Sequence, residues 1–255
     1  MHMSVNSISG SNYYTQLSSG NRINSAADDA AGSAIAEKMQ SEITELEVST
    51  DNASAGQGLI NVADGALGNI TDALQRIREL SVQAGNASIY GKEGLGMIQD
   101  EIDQLKESIQ GIANNTEYNT MKLLDGSQSG WHIASGGNGT DLTTPNATLE
   151  ALGIADYDVT GSFDIKKIDE AISMVNKARS ALGAKSNGLD HQMAYNEYAA
   201  LNLTAAQSNI KDTDMAEAIM GLKKEQNLQQ YQMIMLKKKM ENEQAGKMKL
   251  FEGML

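Results

Sequence analysis

No cysteine occurs among the 255 residues, which excludes disulfide frameworks, thiolate metal sites and cysteine nucleophiles. Proline occurs once, as Pro145, and aromatic residues make up only 4% of the chain. Narrow helical seams have little room for bulky rings and helix interiors none for proline, so these scarcities point to a core that is long rather than deep. Positive charge is also scarce: 20 Lys and Arg against 33 Asp and Glu give a net charge of −13. That balance argues against general binding to nucleic acid, which needs cations in excess along a surface, and it favours solubility. No apolar run approaches the roughly 18 residues of a membrane span. No cleavable signal peptide opens the chain, so export is expected to use another route. His2 and Met3 read as a cloning remnant and carry no functional reading.

What is present is helical patterning. Residues 26–86 contain no proline, and every seventh position is apolar: Met39, Leu46, Ala53, Ile60, Leu67 and Leu74. Ala63, Ile70, Ile77 and Ala84 fill a second seam position. This heptad seam predicts one long helix of about 90 Å. Ser25 is its expected N-cap, with Asp28 and Asp29 at the positive end of the helix dipole, and Gly85-Asn86 its expected left-handed C-cap. Gly32, Gly56, Gly58, Gly65 and Gly68 would weaken such a helix in isolation by about 1 kcal/mol each. Packing against neighbours must hold it, and the small residues allow those neighbours close.

Beyond a loop through Gly91, Leu95, Ile98, Ile102, Leu105, Ile109 and Ile112 recur at threes and fours, and a second helix is expected to fold back antiparallel on the first. Asn114-Asn115-Thr116 stops it. Short apolar pieces separated by Asp125-Gly126 and by 136–139 then read as a β-hairpin region over 118–160. From Phe163, Ile165, Ile168, Ile172, Val175, Leu182, Leu189, Met193, Ala200, Leu203 and Ile210 mark a third helical seam. After 211–214, Ile219, Leu222, Met233, Leu236 and Met240 carry the period toward the C-terminus. The fold class is therefore mainly α: an elongated antiparallel helical bundle or coiled-coil rod with a small β-hairpin region. Residues 1–24, polar and rich in Ser and Asn, are expected to be disordered or vestigial. Residues 25–210 form the rod, with helices over 26–85, 94–113 and 163–210, and 211–255 a C-terminal helical segment.

Catalytic and ligand-binding patterns are missing. His2, His132 and His191 pair with nothing at metal-ligand spacing, and they read as surface or loop residues. Asp156-Tyr-Asp158-Val-Thr160-Gly161 begins like a calcium loop, but Lys167 occupies the position that requires a bidentate Glu. The glycines of 126–139 lack the Lys and following helix of a phosphate loop, so they read as turns. No metal, cofactor or catalytic residue is assigned, and the chain is not expected to be an enzyme. Lys223, Lys224, 237–239, Lys247 and Lys249 make the C-terminal segment locally basic. Interleaved Glu225, Glu241 and Glu243 favour a solvated face over membrane attachment.

Several segments together resemble one family. Leu17-Ser-Ser-Gly-Asn-Arg-Ile-Asn-Ser-Ala-Ala-Asp-Asp-Ala-Ala-Gly-Ser-Ala-Ile-Ala36 closely resembles the N-terminal signature of bacterial flagellins. Leu74-Gln-Arg-Ile-Arg-Glu-Leu-Ser-Val-Gln-Ala84, Ile98-Gln-Asp-Glu-Ile102 and Tyr118-Asn-Thr-Met-Lys-Leu-Leu-Asp-Gly126 are similar to further flagellin segments. Ala178-Arg-Ser-Ala-Leu-Gly-Ala184, Asn209-Ile-Lys-Asp-Thr-Asp-Met-Ala216 and Leu228-Gln-Gln230 extend the likeness in order through the C-terminal half. The resemblance implies a self-assembling structural subunit of the bacterial flagellar filament, active in motility. It further implies export through the flagellar channel to an extracellular location, and a short form without variable outer domains. Implied partners are other flagellin subunits, a flagellar export chaperone and Toll-like receptor 5. The family's receptor-contacting positions carry over onto Arg76, Leu80 and Glu101, with Gln75 and Gln83 nearby.

Leu74 and Ile77 belong to the seam, so Arg76 and Leu80, four apart, are expected beside it as part of a recognition patch; the alternative is that Leu80 packs against a further helix. Two departures from the family pattern stand out. Only sixteen polar residues precede Leu17, and the N-terminal half of the usual coiled coil is expected to be missing or vestigial. The last stretch is more basic and Met-rich than an apolar, Leu-rich tail. These departures keep open a non-polymerising relative or a hook-filament junction protein, and a chaperone- or membrane-bound adaptor.

Overall fold

The computed structural model describes residues 7–128, 130–137 and 139–252, with side chains at 7–11, 87–89 and 247–252 left aside. The readings of His2, Met3, Asn138 and the final 253–255, and of the side chains of Lys247 and Lys249, fall outside what is described. Five helices, α1 (Ser7–Ser19), α2 (Ala30–Ala84), α3 (Ala87–Asn115), α4 (Lys166–Lys211) and α5 (Met215–Glu252), carry most of the described chain. Between α3 and α4 lie four short strands, β1 (Glu117–Tyr118), β2 (Met121–Lys122), β3 (Gly130–Ile133) and β4 (Thr140–Thr143). The mainly helical class with a small hairpin region is thus the observed one. The chain divides into two compact units, Thr44–Ala200 and Met1–Ile43 with Leu201–Leu255. This division differs from the expected break after residue 210.

In the first of these units the heptad seam of α2 is its buried edge. Ala53, Ile60, Ala63, Leu67, Ile70, Leu74, Ile77 and Ala84 are all buried. Nearer its start, where it belongs to the other unit up to Ile43, α2 buries Ala36 and Ile43, while the expected Met39 and Leu46 are half-buried. Helix α3 answers with Ile98, Ile102, Ile109 and Ala113. Helix α4 answers with Ile168, Val175, Leu182, Leu189 and Asn196, one every seventh residue. Gln57 donates to Asp190 at 2.6 Å, Arg179 to Asp64 at 2.8 Å and Arg78 to Asp169 at 2.6 Å. Partners on α4 descend as those on α2 ascend, so the two helices run antiparallel.

Three expectations about helix ends change, the first being that neither Gly85 nor Asn86 takes a left-handed conformation, with Asn86 at φ −93° leading straight into α3. The long helix begins at Ala30, because Asp29 rather than Ser25 caps it: the Asp29 carboxylate accepts from the Gly32 amide at 2.9 Å. Ser25 belongs to the preceding turn, where the Asp28 carboxylate accepts from the amides of Asn24 and Ser25 at 3.1 and 2.9 Å. The loop expected through Gly91 holds a short helical piece, and the chain kinks at Gly91, at φ 62° and ψ −177°, before the helix that follows. At the start of α4, the Asp164 carboxylate accepts from the Lys166 amide at 3.0 Å, which sets its first turn.

The hairpins are antiparallel. β1 and β2 pair Glu117 with Lys122 and Tyr118 with Met121, through a turn with Asn119 at φ 48° and Thr120 at φ 66°. β3 and β4 pair Gly130 with Thr143 through Ile133 with Thr140. Ile133 lies on Gly56 of α2, where an added Cβ would come within 2.3 Å of its Cδ1. Asn52 and Asn196 donate to the carbonyls of Ala134 and Ser135 at 3.0 and 3.2 Å, which straps the β3–β4 loop to α2 and α4. A glycine expected to admit a neighbouring helix therefore admits a hairpin.

In the other unit, α1 packs along α5. The ring of Tyr13 covers Gly221, at 2.7 Å from where a Cβ would stand, and Gln226 donates to the Tyr14 hydroxyl at 2.9 Å. Residues 7–19, expected to be loose, are thus helical. Their order comes from contact with a segment two hundred residues away, which a polar composition does not reveal.

Candidate functional site

The residues singled out for partner binding lie on α2 and α3 of the Thr44–Ala200 unit. Arg76 reaches across to α3, its Nε and Nη2 meeting Glu101 Oε1 at 2.9 and 2.8 Å. Its Nη1 donates to Glu79 Oε2 at 3.0 Å, one turn along its own helix. Both carboxylates hold the guanidinium above its ordinary pKa, Glu101 foremost, so Arg76 is cationic throughout the accessible range. The arginine and Glu101 keep about half their side-chain surface, at 50% and 45%. An exposed pair of this kind contributes little to stability, but it fixes a planar donor and an acceptor in one orientation. Gln75 and Gln83 are exposed on the same helix. Gln83 donates to the Tyr90 hydroxyl at 3.1 Å.

Leu80 does not join this surface. It is 2% exposed and belongs to the hydrophobic core. The expectation that it lies outside the buried stripe is corrected by the width of that stripe: α2 packs against both α3 and α4, and Leu74, Ile77, Leu80, Ser81 and Ala84 are all buried. The structure brings Arg76 and Glu101 together, leaves Gln75 and Gln83 beside them, and sets Leu80 beneath.

A second junction lies in the other unit, and no role was read for it from the sequence. Gly20, at φ 74°, ends α1, its amide donating to the Gln16 carbonyl at 2.8 Å. Residues 21–23 then run beside the end of α4. Asn21 bridges to Asp212, Arg22 and Ile23 donate through their amides to the Lys211 carbonyl at 2.7 and 3.4 Å, and the Thr213 amide donates to the Gly20 carbonyl at 2.9 Å. The Arg22 guanidinium donates to the Ile210 carbonyl at 2.6 Å. Buried Ile23 lies against Gly32, where a Cβ would come within 2.7 Å of its Cδ1. The segment 17–32 is thus a clasp on the end of α4, and its Gly, Arg, Asp and Gly each meet a stated contact.

Sequence reading also missed what α5 leaves uncovered. Ala218 is buried, but Ile219, Met220, Leu228, Tyr231, Met233, Ile234, Met235, Leu236 and Met240 are exposed. The period of three and four was legible; that little covers it was not.

The chemistry available elsewhere is structural. Among the described residues no group of three His, Asp or Glu is placed to hold a metal ion. Asp158, from the calcium-like stretch, accepts from the Thr160 amide and hydroxyl at 2.7 and 2.6 Å, which lowers its pKa and closes a turn. His132 pairs with Asp141 at 2.7 Å across β3 and β4, both well exposed. Among the described residues no helix is long and apolar enough to cross a membrane.

The family models for the bacterial flagellin N-terminal helical region and C-terminal helical region match residues 2–129 and 165–245. The chain is 38% identical to a flagellin of Bacillus subtilis, over 92% of this chain and 90% of that one. It is 39% identical to the flagellar filament 33 kDa core protein of Treponema phagedenis, over 84% and 83%. The crystal structure of Bacillus cereus flagellin matches with a TM-score of 0.50 at 27% identity, over 57% of this chain and 88% of that one.

Proposed function

The chain belongs to the bacterial flagellin family, and from that premise we propose that it is exported through the flagellar channel with the help of an export chaperone, assembles with copies of itself, and is a ligand of Toll-like receptor 5. The family makes it a structural protein of the flagellar filament, an extracellular appendage built from flagellin subunits.

For self-assembly, the supporting observation is the apolar surface of α5. Large apolar side chains exposed over several turns are costly on a solitary molecule and suit a surface that other chains cover. Desalting the purified chain and following it by sedimentation and electron microscopy tests this reading. Growth of filaments or sedimenting oligomers is expected, and a strictly monomeric species under every condition would remove it.

For the receptor, the supporting observation is the exposed Arg76–Glu101 pair flanked by Gln75 and Gln83. A guanidinium already oriented by a carboxylate loses little freedom on docking, which suits a binding hot spot. Leu80 supports the surface from below. Arg76→Ala and Glu101→Ala are each expected to weaken binding to the receptor ectodomain by about 2 kcal/mol. Unchanged affinity in both would sink the proposed contact.

A further inference from the structure

With 14 methionines and no cysteine, the sulfur chemistry of this chain rests on thioethers. Six of them stand on α5, and of these Met215, Met220, Met233, Met235 and Met240 are each at least 47% exposed. Residues 233–236 are four consecutive large apolar side chains, all exposed, and four successive residues encircle a helix. Met240 continues the face of Met233 two turns on, with Leu236 between them. This is a belt around α5 rather than a stripe along it. Met121 and Met193, by contrast, are half-buried, and Met193 packs against the hydrophobic core of the other unit.

An exposed thioether is open to two-electron oxidants, and its sulfoxide is polar where the thioether was apolar and adaptable. We propose that Met233, Met235 and Met240 are sites of sulfoxide formation by hydroperoxides, and that this modification stops self-association through the α5 belt. The sulfur lone pair attacks one peroxide oxygen, and an S–O bond forms as the O–O bond breaks. Sulfur is oxidised by two electrons, the peroxide is reduced, and the departing hydroxide or alkoxide takes the proton from the transferred oxygen to leave as water or an alcohol. A sulfoxide oxygen carried into a packed contact needs a hydrogen-bond donor that an apolar belt does not offer, so the modified face favours water. The second half of the inference rests on the reading of α5 as an assembly surface.

The full chain is treated with hydrogen peroxide before assembly, and conversion at each methionine is followed by peptide mass spectrometry. Met233, Met235 and Met240 convert ahead of Met121 and Met193; equal or slower conversion overturns the assignment of the sites. The oxidised chain then stays in the supernatant under conditions where the untreated chain sediments, and methionine sulfoxide reductases of both epimer specificities, with a thiol reductant, restore sedimentation. A triple variant, Met233→Leu, Met235→Leu and Met240→Leu, keeps the belt apolar and assembles with or without peroxide. The Met97→Leu chain, which loses an exposed thioether of α3 outside the belt, remains sensitive. Normal assembly of the fully sulfoxidised chain, or undiminished sensitivity of the triple variant, overturns the switch. If the untreated chain never assembles, it is the assembly reading that fails. The conversion order then still decides the sites, and binding of a hydrophobic dye decides the consequence: a loss on oxidation supports it, and unchanged binding overturns it.

Discussion

Arg22 donates from its guanidinium to the main-chain oxygen of Ile210 at 2.6 Å, although the two residues are 188 positions apart. The last carbonyls of a helix have no partner within it and carry the negative end of its dipole. α4 ends at Lys211, and its final carbonyls are taken up by the Arg22 side chain and by the amides of Arg22 and Ile23. The N-terminal signature thus acts as a C-cap supplied from the far end of the same chain.

Replacing Arg22 with Ala is expected to destabilise this junction by about 1 kcal/mol, a charged hydrogen bond discounted for its exposure. Arg22→Lys keeps a charge at the helix end and recovers part of the loss. Hydrogen exchange at the amides of 207–213 reads it directly: unchanged protection in Arg22→Ala would show that the clasp does not hold α4.

Two glycines of α2 respond in opposite directions to alanine. Gly56→Ala forces a methyl into Ile133, 2.3 Å away, and is expected to cost about 1–3 kcal/mol. Gly65 meets nothing within 4 Å, so Gly65→Ala is expected to stabilise by about 1 kcal/mol through helix propensity alone. Urea unfolding of both variants checks the pair, and a shift of the same sign in each would contradict the account of Gly56.

Leu80 and Arg76 sit four residues apart and separate stability from surface. Leu80→Ala removes a buried side chain and is expected to cost about 2–5 kcal/mol of folding stability. Arg76→Ala breaks only exposed pairs with Glu79 and Glu101 and is expected to leave the unfolding midpoint nearly unchanged. A large stability loss in Arg76→Ala would mean that its ion pairs hold α3 to α2.

Acid should loosen the turns closed by aspartate. Asp28 is held below its ordinary value of 3.8, chiefly by the Ser25 and Asn24 amides, and Asp125 and Asp158 by Ser127 and Thr160. A carboxylate whose folded pKa is depressed adds stability that is fully present above its unfolded value and is lost as pH falls through the folded one. The contribution is therefore constant from pH 5 to 7 and declines below about pH 4. The midpoint difference between wild type and Asp28→Asn is expected to be largest near neutrality and to shrink below pH 3. A difference independent of pH would remove the carboxylate from the account.

The amino-acid order alone determined the helical class, the heptad positions of α2 from Ala53 onward, the stripe of α3 and the place of the hairpins. These follow from local periodicity and from turn residues, which a chain carries wherever it lies. The approximate position of Arg76 and Glu101 was also legible, through motif likeness. Tertiary structure decided the rest. It ordered α1 through Tyr13 and Gly221, moved the cap of α2 from Ser25 to Asp29, and seated Ile133 on Gly56. It drew Leu80 into the core between α2 and its two helical neighbours, the alternative the sequence had left open. It also left Met233, Leu236 and Met240 on the outside of α5, although their spacing of three and four resembles that of the buried seams. Periodicity states which face of a helix is apolar. Only the arrangement of distant segments states whether anything covers that face.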